Sequence, residues 1–281
     1  CRSYLQCDDP RYLMPDIHPT AIVERGAEIA ADVVIGPYCI VGSGVVLEAG
    51  VRLLSHVVVT GRTRIGDGCQ LFPFASIGHR PQDLKYRGEE STLVIGERNI
   101  IREYVTMQPG TVGGGMETAV GDDCLFMASA HVAHDCKVGN NVVMANNATI
   151  GGHVVVGDHA ILGGLSAVHQ FVRIGVHAMV GGMSGVEHDV VPYAVVVGDR
   201  ARLTGPNFIG LRRRGFSRDE IEAVRGAYRI LFDPGIGTLA QRLDRLERSY
   251  PEATTVKELV RFVREDASRP LCRPGKVTDG A

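Results

Sequence analysis

The chain has 281 residues, enough to bury a sizeable core in one large domain or two modest ones. Its formal net charge is −2, which argues against a nucleic-acid-binding protein driven by bulk positive charge. No apolar run approaches the ~18 residues that span a bilayer, and no charged-then-apolar secretory leader is present. We therefore expect a cytoplasmic protein without a membrane span.

A six-residue period dominates the first two thirds of the chain. Residues 1–16 lack it and are predicted to form an N-terminal tail, but from Ile17 to Ile77 every sixth residue is aliphatic. This period fits neither an α-helix nor an alternating strand and indicates a hexapeptide repeat. Such repeats build a parallel β-helix, in which each unit forms a short strand and a turn, and three units form one triangular coil. Residues 18 apart then stack at roughly the 4.8 Å spacing of neighbouring strands.

Two segments interrupt the repeat. Residues 78–94 are rich in charged and polar residues. Residues 108–119 contain three consecutive glycines, which cannot form a packed strand at low cost. We predict that the first segment occupies about one coil or bulges from it, and that the second is an external loop. The repeat resumes at Val120.

Four cysteines occupy the small-residue position of the repeat: Cys39, Cys69, Cys124 and Cys136. The seven cysteines of the chain are odd in number and include no C-x-x-C pair, which favours reduced thiols over a disulfide framework. We therefore predict that these four thiols pack in the core.

After the repeat, apolar residues follow the three- and four-residue steps of α-helices. Three segments match a helix-capping box: SRDE (217–220), TLAQ (238–241) and TVKE (255–258). We predict about three helices that end near Ala267.

These patterns predict a mainly β protein with a C-terminal helical part. The predicted boundaries are 1–16 for the N-terminal tail, 17–193 for the parallel β-helix with its two insertions, and 194–281 for the C-terminal α-helical domain and tail. The helices are expected to cover the open end of the β-helix, where an exposed strand edge would invite aggregation.

Seven of the ten histidines lie between residues 131 and 188. The 18-residue rule predicts which of them stack: Gly152 above His134, Gln170 above Gly152, and His153 above Asp135. A neutral imidazole accepts a proton from a hydroxyl at neutral pH, and a neighbouring carboxylate fixes its tautomer. A glycine leaves space and a bare N–H for a developing oxyanion. The column therefore favours base catalysis.

Two further hypotheses also account for the clustered histidines. His131, His134 and Asp135 offer ligands for zinc, as in a carbonic anhydrase built on the same scaffold, although no helix holds them on one face. Alternatively, the β-helix is a rigid platform for a binding protein, and the histidines only cap turns. Nucleophilic Ser/His/Asp catalysis is disfavoured because no G-x-S-x-G is present. We favour an enzyme, with no metal and no cofactor.

Two charged segments are candidate anion contacts. Asp83, Lys85 and Arg87 lie in the first insertion, and Arg212, Arg213 and Arg214 follow the repeat, close to Asn207. Adjacent arginines fit a diphosphate better than a nucleic-acid backbone, given the net charge. A solvated charged loop is the alternative interpretation.

Eight segments closely resemble one enzyme family. They are IHPTAIVE (17–24), IGPYCIVG (35–42), QDLKY (82–86), AHVAHDCKVGN (130–140), ANNATIGGHV (145–154), AVHQF (167–171), VGGMSGV (180–186) and LRRRGFS (211–217). Over about residues 14–265 the chain resembles the UDP-N-acetylglucosamine O-acyltransferases of lipid A biosynthesis. The resemblance implies a homotrimer of left-handed parallel β-helices with active sites between subunits. It also implies transfer of an (R)-3-hydroxyacyl chain from acyl carrier protein to the sugar 3-hydroxyl of UDP-N-acetylglucosamine.

The resemblance further implies roles for individual residues. His134 would be the general base, Asp135 would orient it, and the N–H of Gly152 would face the thioester oxyanion. The implied substrate contacts are Asp83, His131 and Gln170 at the sugar, Lys85 at a phosphate, His153 and His169 near the nucleotide or the pantetheine arm, and Asn207, Arg213 and Arg214 at the UDP portion. Gly182 matches an acyl-pocket position where glycine implies a longer chain. Ile209 departs from the family pattern, which often has Glu there.

Overall fold

The computed structural model describes residues 14–265 and 267–275. Within these ranges the chain forms a left-handed parallel β-helix followed by a set of α-helices. Most of the predicted N-terminal tail lies outside the described residues, and Asp16, its last residue, belongs to the first strand.

The strands are mostly two residues long, because the turn residues between them leave the hydrogen-bonded ladder. The first fourteen are β1 (Asp16–Ile17), β2 (Ile22–Val23), β3 (Glu28–Ile29), β4 (Val34–Ile35), β5 (Ile40–Val41), β6 (Val46–Leu47), β7 (Arg52–Leu53), β8 (Val58–Val59), β9 (Arg62–Ile65), β10 (Gln70–Leu71), β11 (Ser76–Ile77), β12 (Thr92–Ile95), β13 (Ile100–Ile101) and β14 (Thr106–Met107). The others are β15 (Glu117–Val120), β16 (Leu125–Phe126), β17 (His131–Val132), β18 (Lys137–Val138), β19 (Val143–Met144), β20 (Thr149–Ile150), β21 (Val155–Val156), β22 (Ile161–Leu162), β23 (Ala167–Val168), β24 (Arg173–Ile174), β25 (Met179–Val180), β26 (Gly185–Val186), β27 (Ala194–Val197) and β28 (Arg202–Pro206).

From β1 to β26, strands three places apart along the chain pair in parallel, for example β1 with β4 and β4 with β7. This pairing produces three sheets, one along each face of the coil. Sheet A runs from β1 to β25 and ends in the antiparallel pair β27–β28, sheet B runs from β2 to β26, and sheet C from β3 to β24. The register is the predicted one: Val132 pairs with Ile150, and Ile150 with Val168. We name the turns after the sheets that they join: the A–B, B–C and C–A corners.

The inward-facing residues of the repeat form one continuous core, as predicted. Only the first coil is less covered, since no described coil precedes it, and Ile17 is 38% exposed. The four cysteines of the repeat are buried and free, which confirms their predicted place in the core. Each thiol donates to a backbone carbonyl on the adjacent coil. Burial raises the pKa of Cys69 to about 11, so this thiol stays protonated.

Both insertions leave the coil at the B–C corner: the first joins β11 to β12 and the second joins β14 to β15. The first insertion therefore bulges from a single turn and does not occupy a coil, and Leu71 pairs across it with Ile101. The prediction of an external loop for 108–119 is wrong in part. Thr111 is only 3% exposed, and Val112–Gly114 forms a 3₁₀ helix that leads into β15.

Four α-helices follow the strands: α1 (Phe208–Arg213), α2 (Arg218–Leu231), α3 (Leu239–Ser249) and α4 (Thr254–Arg264). The capping boxes that begin at Ser217 and Thr238 are confirmed. The box predicted at Thr255 is wrong, because the N-cap of α4 is Ala253, two residues earlier, and the Thr255 side chain, 4% exposed, is buried like that of Leu259. Helix α1 was not predicted.

The helices lie over the last coil, as expected, together with the β27–β28 pair that extends sheet A. Helix α2 packs against β28, and the hydroxyl of Tyr228 donates to the carbonyl of Pro192. Among the described residues, no helix combines the length and the apolar character that a bilayer span requires.

Candidate active site

The B–C corner collects most of the predicted site residues. Three strands that are neighbours in sheet B, β17, β20 and β23, each lead into this corner. The residues that follow them are His134 and Asp135, then Gly152 and His153, then His169 and Gln170. Gly152 lies against His134 as the register predicts: a Cβ at this position would be 2.5 Å from Cε1 of the ring, so only glycine leaves the imidazole in place.

The centre of the site is a hydrogen-bonded His–Asp pair. Nδ1 of His134 lies 2.7 Å from Oδ2 of Asp135, whose side chain is fully buried. The same carboxylate accepts hydrogen bonds from the backbone N–H of Thr111 at 2.8 Å and from its hydroxyl at 2.6 Å. Because both oxygens of the Asp135 carboxylate act as hydrogen-bond acceptors, Nδ1 of His134 must be the donor and carries the proton. In the neutral ring, Nε2 then keeps a lone pair. The pair therefore presents a base.

Sequence reasoning missed Thr111, which the second insertion brings to the site. The insertion approaches so closely that a Cβ on Gly114 would lie 2.0 Å from Cγ of Asp135. From the other side, the N–H of Asp135 donates to the hydroxyl of Thr118 at 2.7 Å. A signal was available: both insertions start after strands of sheet B, so they leave the coil at the corner where His134 lies.

His153 lies beside this pair. Its ring stacks on Phe171 with 4.3 Å between centroids and meets His134 edge-on at 5.1 Å. Its Nδ1 is 4.0 Å from Oδ2 of Asp135. Burial lowers the pKa of His153, and the Asp135 carboxylate opposes that shift. Above this lowered pKa, His153 is a neutral imidazole.

The first insertion reaches the same corner. The Asp83 carboxylate raises the pKa of His153 and the Lys85 ammonium lowers it, both less than burial does, so both charges act on this ring. Lys85 is exposed, and its backbone N–H donates to the Asp83 carboxylate at 2.9 Å. The insertions also contact each other, since the N–H of Gln82 donates to the Gln108 side chain at 3.1 Å.

His131 lies on β17, one strand position before the corner. Its Nδ1 is 2.7 Å from the hydroxyl of Thr106 on the neighbouring coil. Burial lowers the pKa of His131, and the nearby His134 lowers it further. A second neutral imidazole therefore borders the His134–Asp135 pair.

Three predicted residues lie at the C–A corner and do not converge with His134 within one chain: Asn207, Arg213 and Arg214. Asn207 caps α1 by accepting from the N–H of Gly210 at 3.0 Å, and its amide donates to the carbonyl of His177 at 3.1 Å. Arg214 donates to the carbonyl of His159 at 2.7 Å, while Arg213 is exposed. Burial lowers the pKa of Arg214.

Gly182 lies at the third corner, A–B, also apart from His134. It is exposed, and a Cβ there would lie 3.3 Å from the carbonyl oxygen of Gly164 on the coil below. Ile209, the departure from the family pattern, projects from α1 and is largely exposed.

The residues that could hold a zinc ion in the structure differ from the set predicted from the sequence. Within the described ranges, His134, Asp135 and His153 place ligand atoms within 4.8 Å of one another, and His131 is not in this group. However, the Asp135 carboxylate already accepts hydrogen bonds from Thr111 and from Nδ1 of His134. Zinc ligands must point at one centre, whereas Nδ1 of His134 points at the Asp135 carboxylate. The arrangement suits proton transfer.

Comparisons with known proteins identify the family. A family model described as UDP N-acetylglucosamine O-acyltransferase, domain 2, matches residues 189–272, and one for bacterial transferase hexapeptide repeats matches residues 117–152. The acyl-[acyl-carrier-protein]--UDP-N-acetylglucosamine O-acyltransferase of Azorhizobium caulinodans is 53% identical over 260 residues, which cover 92% of this chain and 96% of that protein. The enzyme of the same description from Rhizobium johnstonii is 47% identical, with coverages of 94% and 97%.

Solved structures agree with the sequence comparisons. The LpxA structure from Acinetobacter baumannii superposes with a TM-score of 0.88 at 43% identity and covers 92% of this chain and 99% of its own. The chain therefore belongs to the acyl-[acyl-carrier-protein]--UDP-N-acetylglucosamine O-acyltransferase family.

Proposed function

We propose that this chain transfers an (R)-3-hydroxyacyl group from acyl carrier protein to the 3-hydroxyl of UDP-N-acetylglucosamine, the first step of lipid A biosynthesis. The observation that carries the proposal is the His134–Asp135 pair with Gly152 against the imidazole. Two relatives, 53% and 47% identical over most of the chain, are named acyl-[acyl-carrier-protein]--UDP-N-acetylglucosamine O-acyltransferases.

In the proposed reaction, Nε2 of His134 removes the proton of the sugar 3-hydroxyl. The 3-oxygen bonds to the thioester carbon, and the carbonyl electrons form an oxyanion that the N–H of Gly152 stabilises. The carbonyl then re-forms, the C–S bond breaks, and the departing thiolate takes the proton from His134. Asp135 stabilises the intervening imidazolium through Nδ1, at 2.7 Å.

We assign the substrate contacts to the residues around this centre. Asp83, His131 and Gln170 hold the sugar, Lys85 meets a phosphate, and His153 and His169 lie near the nucleotide or the pantetheine arm. The neutral His131 and His153 rings suit contacts to sugar and phosphate oxygens, because each can donate one hydrogen bond without carrying a charge.

We also propose that the protein works as a homotrimer with sites between subunits. Asn207, Arg213 and Arg214 would contact the UDP portion, and Gly182 would line the acyl pocket. Because one chain holds these residues at corners other than that of His134, a single site can contain all of them only if a second copy supplies some. Asn207 also supports the proposed UDP contact indirectly, because it caps helix α1, which carries Arg213.

We further propose a cytoplasmic location. The five described cysteines are all free and buried, which suits a reducing compartment.

The experiment that tests the function is an acyl-transfer assay with product mass spectrometry. The purified chain is incubated with UDP-N-acetylglucosamine, or its 3-amino analogue, and a panel of (R)-3-hydroxyacyl carrier proteins of different acyl length. We expect a product heavier than the acceptor by one acyl group, with preference for a longer chain because Gly182 leaves space. No product with any donor, or stoichiometric zinc in the purified protein, would contradict the proposal.

A further inference from the structure

The segment 267–275, which follows α4, returns to the B–C corner and forms an isolated β-bridge there. The N–H of Asp189 donates to the carbonyl of Pro270 at 2.9 Å, and the N–H of Cys272 donates to the carbonyl of Asp189 at 2.7 Å. Leu271 forms a parallel bridge with Asp189, and the thiol of Cys272 is buried. The segment is thus tied to the end of the β-helix.

Asp189, to which the segment binds, is itself held firmly. Its buried carboxylate accepts from the backbone N–H of Arg173 at 2.8 Å and from Nε of the same residue at 2.7 Å. The Arg173 guanidinium also lies 3.3 Å from the carboxylate of Glu265, just after α4. Arg173, on β24, therefore contacts both Glu265 and Asp189, the residue to which the segment is bonded.

Arg269 extends from this segment to two predicted site residues. Its Nη2 lies 2.8 Å from Nδ1 of His169, and its Nε donates to the carbonyl of Gln170 at 3.2 Å. The same carbonyl lies 3.2 Å from Nδ1 of His169, so two positions of the imidazole proton compete. A guanidinium has only donors, so Nδ1 must offer its lone pair to Arg269. The proton of His169 is then on Nε2.

We propose that Arg269 is a positioning residue of the active site, which holds His169 as a hydrogen-bond donor through Nε2. The inference rests on the proposed function, in which His169 lies beside the nucleotide or the pantetheine arm. Both groups carry oxygen acceptors that an Nε2–H recognises. The C-terminal segment is thereby part of the site, although Arg269 is 100 residues from His169 in sequence.

The first test compares substitutions in the segment. In Arg269→Met we expect the KM of one substrate to rise about tenfold while kcat changes by less than about threefold, because a binding contact is weakened and the base is untouched. Arg269→Lys, which also has only donors, should restore most of the affinity. Arg273→Met, an exposed arginine of the same segment, is the matched control and should leave KM unchanged. Equal effects of Arg269→Met and Arg273→Met would overturn the inference.

The second test is a double-mutant cycle. If Arg269 acts through His169, the double variant Arg269→Met/His169→Gln should be no worse than His169→Gln alone, within about twofold. Multiplied effects of the two substitutions would mean that Arg269 acts by another route, and would contradict the proposal.

A third readout does not depend on activity. Nitrogen-15 NMR of the imidazoles distinguishes the two tautomers, and the His169 signals are assigned by their loss in His169→Gln. We expect the Nε2–H form in the wild type and a mixture of tautomers in Arg269→Met. An Nδ1–H form in the wild type would overturn the inference even if the acyltransferase assay succeeds. If that assay fails for every donor, the proposed function falls while this spectrum still decides the role of Arg269.

Discussion

Two corners of the same β-helix carry histidines in the same backbone conformation, but different groups surround the rings. His153 at the B–C corner has φ 62° and His177 at the C–A corner has φ 57°. His153 lies 4.0 Å from the Asp135 carboxylate and meets His134 edge-on. His177 stacks on His159 at 4.6 Å and on Tyr193 at 5.8 Å, and its Nδ1 is buried without a hydrogen-bond partner among the described residues.

The comparison shows that the left-handed turn is not evidence of a site. The same positive φ occurs at Tyr38 and Leu165, which lie at the A–B corner, so this backbone conformation belongs to the turns of the coil in general. A carboxylate with its own donors distinguishes the B–C corner. At the C–A corner, desolvation lowers the pKa of His177 to about 4, so the ring stays neutral and acts as an aromatic packing group.

The largest expected effect comes from removing the proposed base. His134→Ala should fold normally, since the ring is at a corner and not in the core, yet lose about a thousandfold or more in kcat. His159→Phe, in the equivalent turn of the C–A corner, should change kcat by less than about twofold because the stack survives. Steady-state kinetics and circular dichroism of both variants check this contrast. Substantial turnover by His134→Ala would end the assignment of the base.

A smaller effect on kcat is expected from a substitution in the second insertion. Thr111→Val removes the hydroxyl that donates to Asp135 at 2.6 Å, and we expect kcat to fall about tenfold with little change in KM. Thr63→Val is the matched control, because Thr63 is equally buried in the coil but donates to the carbonyl of Thr60 instead. If both variants lose activity in proportion to their lost stability, Thr111 has no specific role.

The smallest effect concerns stability and pH at the C–A corner. The pKa of His177 is about 4 in the folded chain, below the ~6.5 of an exposed histidine, so the folded state binds this proton less tightly than the unfolded state. With respect to this group, the free energy of unfolding is at its maximum above pH ~6.5. It decreases as the pH falls towards 4 and below, by about 2 kcal/mol in total after allowance for partial solvent access. His177→Phe keeps the stack and removes the titration.

Denaturant unfolding at pH 7 and pH 4.5 measures this difference. The His177→Phe variant should lose less free energy of unfolding between the two pH values than the wild type. His56→Phe, an exposed histidine in the same kind of turn at the A–B corner, should behave like the wild type. Equal losses in the wild type and in His177→Phe would show that His177 does not carry the pH dependence.

The sequence alone determined the β-helix, its core and the stacking of Gly152 on His134. The physical reason is that each coil adds one strand to each of three sheets, so a constant spacing in sequence becomes a constant spacing in space. On such a scaffold, the stacking partner of a residue is predicted by moving 18 residues along the sequence. The pairs Val132–Ile150 and Ile150–Val168, predicted in this way, are observed.

Only the tertiary structure decided the contacts that complete the proposed site. Thr111 reaches Asp135 from an insertion, and Arg269 reaches His169 from the C-terminal segment, and neither stretch is periodic. Asn207 proved to be a helix cap, and Thr255 turned inward instead of capping α4. In these stretches no repeating ladder fixes the distance per residue, so their positions depend on side-chain packing and on close approaches that only glycines such as Gly114 permit.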